Sequence, residues 1–151
     1  MADMGEELWA RIEAAEDSGG LNTEEARGDL SKSQFQRAKT WIKDVKCALA
    51  RKAFVRFEGQ YLTTVDPDVC ASVVIREFKV IEQRVTRIYH GMIEPLPAEA
   101  QSTAAMGLLK AQCLQIISGM KLLKEAGYSS DAAVRLAQST NGGGQRKRTR
   151  S

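Results

Sequence analysis

Apolar residues recur at spacings of three and four between Ser31 and Phe57, in a stretch without glycine or proline. This spacing places them along one side of an α-helix. They are Phe35, Ala38, Ile42, Val45 and Leu49. Ser31 or Ser33 is suited to cap the first turn, and Glu58-Gly59 is suited to end the helix. We therefore predict one long amphipathic helix over this stretch.

Two later stretches carry a heptad-like apolar seam. The first starts at Asp66-Pro67-Asp68, where a capping side chain and a proline suit the first helical turn, and extends to about Ile93. Its seam residues are Val74, Phe78, Ile81, Val85, Ile88 and Met92. The second covers about residues 98–126, with seam residues Met106, Leu109, Cys113, Ile116, Met120 and Leu123. Because a short proline-containing turn joins the two seams, we predict an antiparallel helical hairpin.

The remaining segments predict shorter elements. A helix over residues 4–17 carries Trp9, and a final short helix covers residues 131–138. Residues 60–65 are β-prone, but no second strand of similar quality lies nearby, so we expect an extended linker. The predicted fold class is therefore all-α. It is a bundle of three long amphipathic helices with one or two short helices and a disordered basic C-terminal tail.

Charge is distributed unevenly along the chain. Residues 1–29 contain nine acids and two bases, and residues 30–65 contain eight bases and two acids. Residues 141–151 contain four bases and no acid. We predict an acidic helical arm over residues 1–29, a helical bundle domain over 30–140 and a flexible basic tail over 141–151. We interpret the arm as a hydrated segment, although Trp9 favours docking of its helix. The alternatives are competition with nucleic acid for the basic helix, or a clamp on a neighbouring subunit.

The overall composition is that of an ordinary soluble chain. Of its 151 residues, 43% are hydrophobic and 27% are charged. No apolar run reaches the roughly 20 residues that span a bilayer, and the acidic N-terminus does not resemble a secretory signal. Three cysteines in separate helical segments are typical of reduced thiols. We expect an intracellular, cytoplasmic protein without membrane contact, whose basic tail would permit nuclear entry.

Enzyme chemistry is not indicated by any motif. His90 is the single histidine, and no cysteine lies at metal-ligand spacing from it. The chain contains no G-x-S-x-G motif, and Gly142–Gly144 is not followed by the lysine of a phosphate-binding loop. We therefore expect no catalytic residue, no metal and no cofactor.

Four lysines of the predicted basic helix fall within one narrow angular sector: Lys32, Lys39, Lys43 and Lys46. Arg51 extends the basic character towards the C-terminal end of the helix, and the tail adds Arg146, Lys147, Arg148 and Arg150. Ammonium groups one to two turns apart on a helix match a line of phosphates. Because lysine is a point charge without base-edge geometry, the sequence predicts nucleic-acid binding without base specificity. A solvated face is the alternative for the helix, and a solubilising tail or import signal for the C-terminus.

The sequence leads to two functional hypotheses. The first is nucleic-acid binding, with RNA favoured over DNA; by analogy of size and charge alone, this suits a viral RNA-binding protein or silencing suppressor. The second is a helical protein–protein interaction or self-assembly module without a nucleic-acid role. Under either hypothesis, a homodimer or homo-oligomer formed through the helix seams is an expected partner.

Overall fold

The computed structural model describes residues 2–128. The predicted helix over residues 131–138 and the basic tail lie outside the described residues, and so do Arg146, Lys147, Arg148 and Arg150. The structure is mostly helical, at 73% helix, which confirms the helical character of the fold. The chain divides into two compact units, of which the first is Met1–Val73 and the second begins at Val74.

The first unit is built from short helical elements. They are α1 (Ala2–Ala14), a 3-10 turn (Glu16–Ser18), α2 (Thr23–Arg27), α3 (Lys32–Trp41), a π-helical turn (Ile42–Lys46) and α4 (Cys47–Ala50). The Ser31 hydroxyl accepts a hydrogen bond from the Gln34 amide at 3.2 Å, and the Gln34 side chain accepts one from the Ser31 amide at 2.9 Å. This capping box satisfies donors that would otherwise be orphaned. It confirms Ser31 as the helix start.

The predicted continuation of this helix to Phe57 was wrong. The helix ends at α4, and Ala53–Phe57 forms strand β1, which pairs antiparallel with β2 (Gln60–Thr64). Glu58 and Gly59 connect the strands with φ values of 50° and 83°. Two successive positive φ values are typical of the tight type I′ hairpin turn, whose twist matches that of paired strands. The expected unpaired linker over residues 60–65 is therefore mostly a strand.

The core of the first unit joins α1, α3 and the hairpin. Its buried side chains are Leu8, Trp9, Ile12, Ala26, Phe35, Ala38, Ile42, Phe54 and Tyr61. The Phe54 and Tyr61 rings stack at 5.6 Å, and Phe35 meets Tyr61 edge-on at the same distance. Since α1 supplies three of these residues, the acidic N-terminal segment is packed on the basic helix. Burying such large side chains contributes a few kcal/mol each, which holds the two oppositely charged helices together.

The second unit contains most of α5 and the helices that follow it. The elements are α5 (Pro67–Ile88), a π-helical turn (Tyr89–Ile93), α6 (Ala98–Gln101) and α7 (Ala104–Glu125). The predicted single helix over residues 98–126 is split, because Thr103 accepts a hydrogen bond from the Met106 amide and caps a new start at α7. In the described part of the chain, α5 and α7 are the two helices of 22 residues. Three long helices are not confirmed, since α3 has ten residues.

Side chains of α5 and α7 meet within the second unit. Lys124 Nζ lies 3.0 Å from both carboxylate oxygens of Glu82. Beside this pair, an apolar cleft of about 370 Å³ opens between the helices. It is lined by Phe78, Ile81, Ile116, Gly119, Met120 and Leu123. Five of these six belong to the two predicted seams, and one of the five, Met120, is buried, so the seams face each other in part.

Candidate nucleic-acid interface

Lys39 is held against aromatic rings. Its Nζ donates to Tyr61 Oη at 3.2 Å and lies 4.7 Å from the centroid of the Phe35 ring. A partly desolvated ammonium over an aromatic face is stabilised by the ring quadrupole. Lys39, which was predicted to bind phosphate, is therefore engaged in the packing of α3 against β2.

Lys46 contacts a different element. Its Nζ donates to Glu6 Oε2 at 2.6 Å and lies 6.0 Å from the Trp9 ring, so its charge faces α1. Lys39 and Lys46 thus no longer share one surface. The reason is the π-helical turn Ile42–Lys46, whose wider turn displaces the residues that follow from the 100° spacing of an α-helix. The sequence carries no plain signal for such a turn.

Lys52 joins the hairpin side of the unit to the acidic segment. Its Nζ donates to Glu16 Oε2 at 3.0 Å and to Glu13 Oε1 at 3.1 Å. The hydrogen bond from Lys52 lowers the pKa of Glu16, and the bonds to Glu16 and Glu13 raise the pKa of Lys52. Thr63, which is fully buried, donates to the same Glu16 oxygen at 3.2 Å. The acidic segment is therefore an ion-pair partner of the basic one, which corrects its interpretation as a hydrated arm.

Four cations of the basic segment stay exposed and form no ion pair with any residue from 2 to 128: Lys32, Arg37, Lys43 and Arg51. We call them the exposed cation set. Three of them belong to the predicted binding face, whereas Arg37 was not predicted because it lies outside the lysine sector. Arg51 ends α4 in the left-handed conformation, with φ 52°. Together they extend along the whole helical stretch from α3 to the end of α4.

The second unit carries a separate polar cleft of about 390 Å³. It is lined by Lys79, Glu82, Gln83, Thr86, Arg87 and Lys124. Because Lys124 is paired with Glu82, the cations at this cleft that form no ion pair with any residue from 2 to 128 are Lys79 and Arg87. The carboxylate of Glu82 makes the cleft less positive than the surface around the exposed cation set.

Other chemistry is sparse in the described residues. His90 Nδ1 contacts Glu94 Oε2, and both side chains are exposed. Residues 2–128 hold no group of three or more histidine, cysteine or acidic side chains placed to bind a metal. The cysteines are free, and burial raises the pKa of the Cys47 and Cys70 thiols, which weakens them as nucleophiles.

Comparisons with known proteins give no further guidance. No protein-family model matches the chain, and neither a curated protein nor a solved structure does so. Over residues 2–128, the structure has no helix with the length and apolar content to cross a bilayer. The side chains described above are therefore the basis for inferring function.

Proposed function

We propose that this protein binds nucleic acid without base specificity, with structured RNA as the favoured ligand. The exposed cation set contacts the phosphates: Lys32, Arg37, Lys43 and Arg51. The basic tail adds affinity through Arg146, Lys147, Arg148 and Arg150. One observation carries the proposal: the four cations of the set are exposed and unpaired within the described residues. Their neighbours Lys46 and Lys52, in contrast, form ion pairs with acids of α1 and of the 3-10 turn that follows it.

The length of the set suits a phosphate track. From Lys32 to Arg51 the chain is helical almost throughout, which corresponds to roughly 28 Å at 1.5 Å per residue. Cations at the two ends of this stretch are therefore far enough apart to contact phosphates of successive nucleotides or of the two strands of a duplex. Because lysine and arginine meet phosphates without reading base edges, affinity depends on salt more than on sequence.

The test is binding of fluorescently labelled RNA duplexes of unrelated sequence, followed by anisotropy between about 50 and 200 mM salt. The triple variant Lys32→Ala/Lys43→Ala/Arg51→Ala is expected to lose affinity by on the order of 100-fold at the lower salt. Its salt slope should fall by roughly 2 to 3, since each lost phosphate contact removes close to one released counterion.

The matched control is Lys79→Ala/Arg87→Ala/Lys121→Ala. It also removes two lysines and one arginine, but from exposed positions of the second unit. It should retain affinity within a few-fold. An equal loss in both triple variants would mean that net charge alone governs binding, and absence of binding by the native protein at low salt would overturn the proposal.

A further inference from the structure

An apolar stripe runs along α5 in the second unit. Val74, Ile81 and Ile88 lie seven residues apart, so they occupy the same side of the helix. They are 48%, 45% and 43% exposed. Side chains of this kind are usually buried when they repeat in register, whereas residues 2–128 cover these three only in part. The stripe is therefore an apolar surface that is available for contact with another chain.

The stripe continues onto α7. Leu109 and Ile116, again seven residues apart, are 55% and 40% exposed. Ile116 and Ile81 line the same cleft, which places the two stripes on one side of the α5–α7 pair. We call these residues, with Phe78, the hairpin face: Val74, Phe78, Ile81, Ile88, Leu109 and Ile116.

The size of the hairpin face is near the upper end of the apolar patches that monomers expose. Its half-exposed side chains offer roughly 500 Å² of apolar area, near the upper end of about 300–600 Å² for the largest patch on a monomer. Together with the polar residues around it, this apolar area approaches the roughly 800 Å² that each partner buries in a standard interface.

Two charged side chains border the stripe and suggest what covers it. Glu77 and Arg84 are seven residues apart, so they occupy equivalent positions beside the stripe. Neither forms an ion pair with any residue from 2 to 128. The other border of the stripe is already used, because Glu82 there is bonded to Lys124 of α7. On this border of the stripe, an acid and a base, Glu77 and Arg84, thus occupy equivalent helical positions without an ion-pair partner among residues 2–128.

We propose that a second copy of this chain covers the hairpin face, with α5 antiparallel to α5 of the second copy. A two-fold axis near Ile81 relates equivalent positions, so Glu77 meets Arg84 of the second copy and Arg84 meets its Glu77. Val74 then lies near Ile88 of the second copy. A parallel arrangement would bring Glu77 towards Glu82 of the second copy, and like charges would oppose it. The charges of Glu77 and Arg84 are therefore complementary to those of a second α5 in the antiparallel orientation.

The first experiment measures the mass of the full chain by sedimentation equilibrium over a range of concentrations. The native protein is expected to approach twice the monomer mass of 16.6 kDa. Glu77→Arg and Arg84→Glu each place like charges at both symmetric contacts, and each should weaken the dimer about 10-fold. The double variant Glu77→Arg/Arg84→Glu reverses both charges and should return within about 3-fold of the native value.

Arg87→Glu is the matched control, because it makes the same charge change on α5 away from the stripe. It should leave the dimer unchanged. The charge variants keep the apolar core intact, so loss of folding does not confuse the result; circular dichroism verifies this. A native protein that stays monomeric, or a double variant weaker than both single variants, would overturn the proposal.

The second experiment determines the relative orientation of the two α5 helices with a short bis-maleimide cross-linker. The native protein, with its three free cysteines, gives the background level of cross-linking. In an antiparallel pair, Ile81→Cys lies near its own equivalent, whereas Ile88→Cys lies roughly 20 Å from its equivalent along the helix axis. Cross-linked dimer is therefore expected for Ile81→Cys and not for Ile88→Cys. Equal cross-linking of both variants would show a parallel pair and would contradict the proposed arrangement.

Discussion

At the scale of single residues, Gly5 decides how closely α1 approaches α3. It is buried, and a Cβ at this position would overlap the indole ring of Trp41. We predict that Gly5→Ala lowers the free energy of unfolding by about 1–3 kcal/mol, since overpacking outweighs the better helix propensity of alanine. Urea denaturation measures this change.

Gly107 provides the control for this substitution. It lies within α7, and a Cβ there would meet no atom within 4 Å. Gly107→Ala should raise the free energy of unfolding by roughly 0.5–1 kcal/mol. If Gly5→Ala stabilised the protein to the same extent, the close contact with Trp41 would be refuted.

The Lys52–Glu16 pair makes stability depend on pH. Because the hydrogen bond from Lys52 lowers the pKa of Glu16 below its usual 4.5, the ionised carboxylate stabilises the fold above that pH. This contribution is lost as the pH falls through the lowered pKa. Lys52→Met should therefore flatten the acid decline of the urea midpoint below pH 4.5. Lys32→Met, which removes an exposed lysine without an ion pair among the described residues, should leave the acid decline unchanged; an identical effect would contradict the prediction.

At the scale of elements, the hairpin turn is not optimised. Glu58 adopts φ 50°, a left-handed conformation that costs a residue with a Cβ about 1–2 kcal/mol. Asn-Gly is the favoured pair for a type I′ turn. We predict that Glu58→Asn raises the free energy of unfolding by about 0.5–1 kcal/mol, measured by thermal and urea unfolding. Gly59→Ala should have the opposite sign, because φ at Gly59 is 83°; stabilisation by Gly59→Ala would argue against this turn type.

Local patterns were sufficient where local interactions decide the structure. The starts at Ser31 and Asp66 were predictable because a capping side chain and its amide partners lie within three residues. The strand Ala53–Phe57 was missed because its residues also continue a helical periodicity. What decides between the two is pairing with Gln60–Thr64 and burial of Phe54 against Tyr61, which are contacts that no local window contains.

The candidate site was predictable only in part for the same reason. Periodicity assigned Lys32 and Lys43 to a basic surface, and both are exposed. It could not foresee the π-helical turn, which redirects Lys46 to Glu6, or the aromatic rings that engage Lys39. Spacing specifies direction around an ideal helix, whereas the partners of each side chain depend on how the helices pack.

At the scale of the first unit as a whole, the acidic and basic segments neutralise each other locally. Glu6 pairs with Lys46, and Glu13 and Glu16 pair with Lys52. Exposed ion pairs contribute little to stability, roughly 0–1 kcal/mol each. Under the proposed function, a phosphate backbone would therefore compete with these carboxylates at modest cost. The acidic segment would then limit nucleic-acid affinity by occupying Lys46 and Lys52.

This competition predicts a gain of function. Glu6→Gln/Glu13→Gln should increase affinity for duplex RNA by roughly 5–10-fold at about 50 mM salt, because Lys46 loses its carboxylate partner and Lys52 loses one of its two, with Glu16 remaining. Asp17→Asn/Glu24→Gln removes the same charge from exposed acids without a lysine partner in the described residues. It tests for a general effect of net charge and should change affinity by less than about 2-fold. Equal gains in the two variants would assign the effect to net charge, whereas a gain confined to the first would identify α1 as a competitor built into the fold.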